Sequence, residues 1–356
     1  MEKKISIKYF YNFKEDNRKS MRMISDYLYQ NLKKDSNFKI SKFIPKFSIN
    51  YLSFFGRIWN LRYNRYINYP NLVKKTNKSD IAHIIDHQYA HLVDQIQASY
   101  KIVTVHDLIP IVFKKQIGKN PYLVKHSLSY LKKFNKVIAV SKNTKKDILK
   151  YTDCPKQKIV VLKSSVENTF NIKKINKKLV CIKYKIPFQS KKILIVGNSF
   201  YKNHKISLKI LEEVKKTHKN LIFIKIGNKF DFNIKKKLKK SIIQLSNIKR
   251  DEVNKIYKIS DVLLFPSLYE GYGLPVLEAM KTGLPIIASN KESIKEILGR
   301  YPLLFNPNDV KKMSKSIVKL IENKNYNTQI KKYLKKRSIF FKEDNYFQQL
   351  KKIYLN

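Results

Sequence analysis

Two glutamates, Glu270 and Glu278, stand eight positions apart in the segment 266–289, which also holds three of the chain's eight glycines, Gly271, Gly273 and Gly283. A chain this poor in glycine keeps it where a residue without Cβ is required. Upstream, the apolar run from Asp261 to Phe265 reads as a short buried strand ended by Pro266. The Gly-x-Gly pair permits a tight turn, and Pro275 suits the first turn of a helix running through Val276 and Leu277 to Thr282. Gly283 is placed to stop that helix in the left-handed region. A strand, a glycine turn and a helix amino end make an anion site, because free amides and the helix dipole point at the loop. Carboxylates beside such a site are unsuited to phosphate, but they suit the hydroxyls of a sugar.

This segment resembles the signature of retaining GT-B glycosyltransferases of the family-4 type, whose Glu-x7-Glu motif brackets a nucleotide-sugar donor. The resemblance implies that Glu270 contacts the donor's sugar and Glu278 the ribose hydroxyls, with Gly271, Tyr272, Gly273 and Leu274 forming the loop between them. A second segment, Ile193-Leu-Ile-Val-Gly197 followed by Lys202-Asn203, is similar to the family's glycine turn and its cation. There Gly197 and Lys202 are expected to meet the diphosphate. The pattern departs where the family has an arginine: Asn198 and Tyr201 stand in its two places, and the loop is one residue short. Either Lys205 compensates or the phosphate is held less firmly.

In the first half, Val103-Thr-Val-His106-Asp107-Leu-Ile-Pro110 puts a His-Asp pair at the carboxyl end of a strand. The resemblance implies that His106 touches the donor sugar, giving His106, Lys202 and Glu270 as the catalytic candidates. On its residues alone, Asp107 caps the next turn and His106 is buried and hydrogen-bonded. Asp86, His87 and His91, with His83 upstream, carry histidine spacing that invites a metal, but His83 falls in a strand and the three cannot share one helical face. Asp86 and His87 are better placed to meet an acceptor. No metal is expected. The loop after the first strand, where the family has a glycine-rich turn, is Asn12-Phe-Lys-Glu-Asp-Asn-Arg18 without glycine; Arg18 or Lys19 supplies charge there, or the loop recognises the acceptor. Ser141 reads as a helix N-cap.

Strand-like runs alternate with helical stretches along the whole chain, at Ile5–Tyr9, Ile81–Ile85, Ile102–Val105, Val137–Val140 and Ile159–Leu162, then Ile193–Val196, Leu221–Ile226, Val262–Phe265 and Pro285–Ala288. That alternation predicts an α/β fold with parallel sheets. The expectation is GT-B, two Rossmann-like domains facing a central cleft: an acceptor-side domain over 1–166, a linker over 167–189, and a nucleotide-sugar domain over 190–336. The resemblance implies that 337–356 forms a helix crossing back to the first domain.

The 356 residues carry 75 basic against 26 acidic side chains, a net charge of +49, and only eight of the basic residues are arginine. Diffuse lysine, 67 in all, reads as compositional bias. No nucleic-acid-binding module is present, so specific nucleic-acid binding is not expected. An anionic membrane surface is the better partner for such charge. Tyr51–Tyr66 interleaves aromatics with Arg57, Arg62 and Arg65 at helical steps, which suits a helix lying in a membrane interface, although core packing or an acceptor groove gives the same stripe. No apolar run reaches the roughly 18–20 residues of a membrane span. Two cysteines and the absence of a leader-like amino terminus fit a cytoplasmic protein, peripheral on the inner face of the membrane if bound there.

The expected activity is that of a cofactor-free hexosyltransferase in polysaccharide biosynthesis. It takes a UDP-, GDP- or ADP-sugar as donor and a glycan or lipid-linked hydroxyl as acceptor, without a metal, since no Asp-x-Asp triplet occurs. The alternative is a GT-B scaffold without catalysis that binds a polyanion.

Overall fold

Every sheet pairing in the computed structural model is parallel, in keeping with the strand–helix alternation. The structure describes residues 4–16, 18–48, 56–118 and 121–355. Six strands, β1 (Ile5–Phe10), β2 (Phe38–Phe43), β3 (Ser79–Ile84), β4 (Ala98–Val105), β5 (Lys136–Ala139) and β6 (Ile159–Val161), form one sheet in the order β2-β1-β3-β4-β5-β6. Six more, β7 (Lys191–Val196), β8 (Leu221–Ile226), β9 (Ile242–Leu245), β10 (Val262–Phe265), β11 (Ile286–Ser289) and β12 (Leu304–Phe305), form a second in the order β12-β11-β10-β7-β8-β9. The chain divides into two compact units, Met1–Lys163 with Phe347–Asn356, and Ser164–Tyr346. The fold is α/β of the GT-B kind.

The inner strands are apolar because helices cover both faces of a parallel sheet. Strands β8, β10 and β11 are buried along their whole length, and in β8 this includes the side chain of Lys225. The edge strands β2, β9 and β12 are half-exposed. In the first unit the core runs from Phe10, Phe13 and Tyr69 through Tyr89 and Leu92 to Val103, Phe134 and Val137. Cys154 and Cys181 are buried and free.

Two stretches differ from the sequence expectation. The linker expected over 167–189 contains a helix, Lys177–Lys183, capped by Asn176, and the whole stretch clusters with the second unit. There Lys183 and Tyr184 both bond Glu252, at 2.8 and 2.7 Å. At the other end, residues 337–346 stay with the second unit, and the first unit resumes at Phe347, inside the helix Glu343–Leu355. Tyr354 on that helix packs within the first unit, its hydroxyl 2.8 Å from that of Tyr9 and 2.7 Å from His83 Nδ1. Among the described residues no helix is long and apolar enough to cross a membrane.

Candidate functional site

In the second sheet β7 lies between β10 and β8, and the strand order runs away from it in both directions. That is a topological switch point, where open α/β sheets gather ligands at the carboxyl ends of their strands. The loops that follow β10, β7 and β8 are therefore neighbours, and they carry Glu270, Gly197 with Lys202, and Gly227 respectively.

After β7, Gly197 takes φ 109°. A Cβ there would sit 2.8 Å from Lys202 Cε and 3.0 Å from its Cγ, so the lysine stem runs over the bare α-carbon. A 3-10 turn, Phe200–Lys202, leads to Asn203, which is left-handed at φ 59° and starts the helix His204–Val214. Asn203 Nδ2 donates to the carbonyls of Pro266 and Pro307, at 3.2 and 3.0 Å, tying this turn to the loop after β10. The Leu268 amide donates to Tyr201 O at 2.7 Å and closes the same seam. Asn198 Oδ1 accepts the Asn228 amide at 2.6 Å, joining the loops after β7 and β8.

After β10, Gly273 at φ 111° turns the chain into the helix Leu274–Thr282, with Pro275 in its first turn and Gly283 as its left-handed stop. This is the local structure expected from the sequence. Glu270 on the loop and Glu278 on the helix are both buried, at 7% and 4% exposure. Each has its own cation. Lys202 Nζ donates to both oxygens of Glu270, at 2.7 and 3.0 Å, and lies 4.9 Å from the centre of the Phe265 ring. Arg250, the first residue of the helix Arg250–Ile259, stands 2.6 Å from Glu278 Oε1 through Nη1. Its Nη2 and Nε donate to Glu167 at 2.9 and 3.2 Å. Burial and the charge of Glu278 push the Tyr257 phenol upward, so it stays protonated. Tyr272 of the Gly-x-Gly turn is buried and donates to Ser164 O at 2.9 Å, a packing role that holds the loop.

Behind the Gly197 turn lie two groups that sequence reasoning did not find. His204 Nε2 donates to Gly197 O at 2.9 Å and Lys225 Nζ to the same oxygen at 3.1 Å. Lys225 is 1% exposed, and burial lowers its ammonium to about 8. Burial lowers His204 to about 4. Arg250 and Glu167 were missed as well; the pattern of the local sequence points to none of the four.

The first-unit candidates form a cluster of their own at the carboxyl ends of β1, β3 and β4. Asp86 is fully buried; it accepts the Gln88 amide at 3.0 Å and Asn12 Nδ2 at 2.6 Å, and it is paired with Arg18. Although burial works against the charge, Arg18 and these bonds hold its carboxyl below the usual carboxylate range. His87 is buried beside it, lowered to about 4 by desolvation. His106 Nε2 donates to Ile85 O at 2.8 Å, and burial lowers its pKa, so the ring is neutral. Asp107 caps the following turn by accepting the Ile109 amide at 3.0 Å. His83 and His91 have separate partners, Tyr354 with Thr104 and the Arg65 carbonyl. Ser141 accepts the Thr144 amide at 2.9 Å as an N-cap.

The aromatic stripe divides. Residues 49–55, and with them Tyr51, Phe54 and Phe55, lie outside the described residues. Arg65 turns inward, 2.9 Å from Asp16 and stacked over Tyr89 at 5.0 Å, which corrects its reading as an interface cation. Trp59 remains half-exposed beneath Arg62, whose guanidinium is 5.2 Å from the ring centre.

Residues 181–337 match the family described as glycosyl transferases group 1, and residues 82–164 match the glucosyltransferase 3-like N-terminal domain. The serotype-specific mannosyltransferase WbdA of Escherichia coli is 25% identical over 259 residues, which are 68% of this chain and 32% of WbdA. The O-antigen chain mannosyltransferase RfbU of Salmonella typhimurium is 27% identical over 223 residues, 60% of this chain and 59% of RfbU. The chain thus spans about a third of the length of WbdA. Among solved structures, sucrose-phosphate synthase of Thermosynechococcus elongatus superposes with a TM-score of 0.74 at 14% identity, over 99% of this chain and 98% of that one. HepE of Anabaena, in complex with UDP and glucose, gives 0.73 at 12% identity, over 98% and 99%. At these identities the likeness shows the fold.

Proposed function

We propose, from the match of residues 181–337 to the glycosyl transferases group 1 family, that the protein transfers a hexose from a nucleoside-diphosphate sugar to a glycan hydroxyl, with retention and without a metal. The observation that supports this best is the pairing of Lys202 with Glu270 between the Gly197 turn and the loop after β10, with the buried Glu278 on the helix that this loop enters. In this reading Glu278 accepts hydrogen bonds from the ribose and Glu270 from the transferring sugar. As the bond from the anomeric carbon to the phosphate oxygen breaks, negative charge builds on the diphosphate. Lys202 and the helix amino end oppose that charge. The departing phosphate oxygen takes the proton of the acceptor hydroxyl on the same face while the new glycosidic bond forms there. The nucleoside diphosphate then leaves, and no separate general base is required.

The relatives with mannosyltransferase names make a mannosyl donor the first to test, and the complex of HepE with UDP and glucose adds a glucosyl one. UDP-, GDP- and ADP-sugars should be screened for thermal stabilisation with and without EDTA. A cognate donor at a hundred times its dissociation constant stabilises by about 2.7 kcal/mol. Stabilisation by none of them, or only with a divalent ion, would overturn the reading.

A further inference from the structure

Arg250 is the only arginine between Arg65 and Arg300, in a chain with 67 lysines. Where a lysine-rich chain keeps arginine, the planar fork is the property to look for, since lysine supplies charge from a single point. Here the whole fork is in use. Nε and Nη2 take Glu167, Nη1 takes Glu278, and the guanidinium lies 4.2 Å from the centre of the Phe170 ring. Phe170 is itself 2% exposed and held edge-on against Tyr257 at 5.7 Å. A lysine could not bond both carboxylates in one plane and also stack.

The consequence falls on Glu278. Its side chain is 5% exposed, and a buried carboxylate needs a partner to stay charged and in place. Arg250 engages Oε1 and the Tyr257 phenol faces the same carboxylate, so the rotamer is set from two sides while a carboxylate keeps lone pairs with which to accept a further hydrogen bond. Glu167 stabilises the arrangement from the other side, because it is the second anion on the same guanidinium.

We propose that Arg250 is a positioning residue that sets sugar specificity in the nucleotide: it aims Glu278 so that ribose is preferred to deoxyribose. This rests on the donor reading above. A site built to accept a hydroxyl rejects the analogue that lacks it, because a buried acceptor is then left unpaired. One such charge-assisted bond corresponds to a preference of roughly ten- to a hundredfold.

The test measures dissociation constants of UDP, GDP and ADP, each beside its 2′-deoxy counterpart, for the parent, Arg250→Lys and Glu167→Gln. The parent should prefer the ribonucleotide of its cognate base at least tenfold, and Arg250→Lys should bring the ratio to threefold or less. Glu167→Gln leaves both Arg250 and Glu278 in place and should lower the ratio partway, which keeps the test informative if Arg250→Lys folds poorly. A merely structural role would weaken ribo- and deoxyribonucleotides by the same factor. An unchanged ratio in both variants overturns the inference while the donor reading stands. A parent that binds none of the six nucleotides overturns the donor reading, and this inference with it.

Discussion

Lys202 Nζ lies 2.7 and 3.0 Å from the two oxygens of Glu270, so the cation proposed to meet the diphosphate already holds the carboxylate proposed to meet the sugar. Both side chains are largely buried, at 13% and 8% exposure. Lys202→Met strands the Glu270 carboxylate and should cost about 3–5 kcal/mol of stability. The double variant Lys202→Met/Glu270→Gln removes both charges and should recover much of that loss. Thermal unfolding of the two single variants and the double variant measures the coupling. Additive losses would mean the pair is not coupled in solution.

Glu278→Gln should weaken binding of the free nucleoside diphosphate, whereas Glu270→Gln should spare it and weaken the full sugar donor. Each effect should be about 1.5–3 kcal/mol. Calorimetric titration with nucleotide and with donor separates the two roles. Equal losses for free nucleotide in both variants would show the roles are wrongly divided.

Burial lowers His83 to about 3, and His87, His91 and His204 to about 4. In the unfolded chain each returns to about 6.5, so between pH 6.5 and 4 the unfolded state binds more protons than the folded one. The stability these groups contribute is complete above pH 6.5 and is lost as pH falls, by up to about 1.4 kcal/mol per unit for each histidine. Thermal midpoints measured from pH 7.5 to 4.5 should fall accordingly, and His91→Gln should flatten the slope by one group's share. A variant as steep as the parent would remove His91 from the account.

Membrane association, where it occurs, should depend on the exposed end of the Arg57–Tyr63 helix, where Ile58 and Trp59 are 66% and 52% exposed. Trp59→Ser with Arg62→Gln should reduce pelleting with anionic vesicles at low salt. High salt should release the parent, as the Debye length shortens from about 10 Å at 0.1 M to about 3 Å at 1 M. Arg65→Gln should act differently, lowering stability by about 3–5 kcal/mol because it strands Asp16. Pelleting of the double variant equal to the parent's would exclude this surface.

Nine of the twelve strands among the described residues are legible as apolar runs, and the three that are not, β2, β9 and β12, all lie at sheet edges. Phe38-Lys-Ile-Ser-Lys-Phe43 shows why. With one face open to water it carries lysines where an inner strand carries valine or isoleucine, so no apolar run marks it. The site was legible where its chemistry is local: Glu270, Glu278 and the turn between them fall within nine residues. Glu167 and Arg250 are 83 positions apart, and only folding brings them together. Lys225 was hidden for the opposite reason, being one lysine among 67 with no local sign that it is buried.

The bonds from Tyr354 to Tyr9 and His83 have a consequence for the order in which the molecule is made. Residues 347–356 belong to the first unit but leave the ribosome after the whole of the second. The unit that is synthesised first is therefore completed last. Until then His83 lacks its hydroxyl partner, and the edge-on contact of Phe38 with Tyr354 is open. Domains fold as units during synthesis, so the second unit can reach its native state while the first still waits for its closing helix. A released chain truncated after residue 346 would hold every residue of the second unit and lack only the closing helix segment of the first.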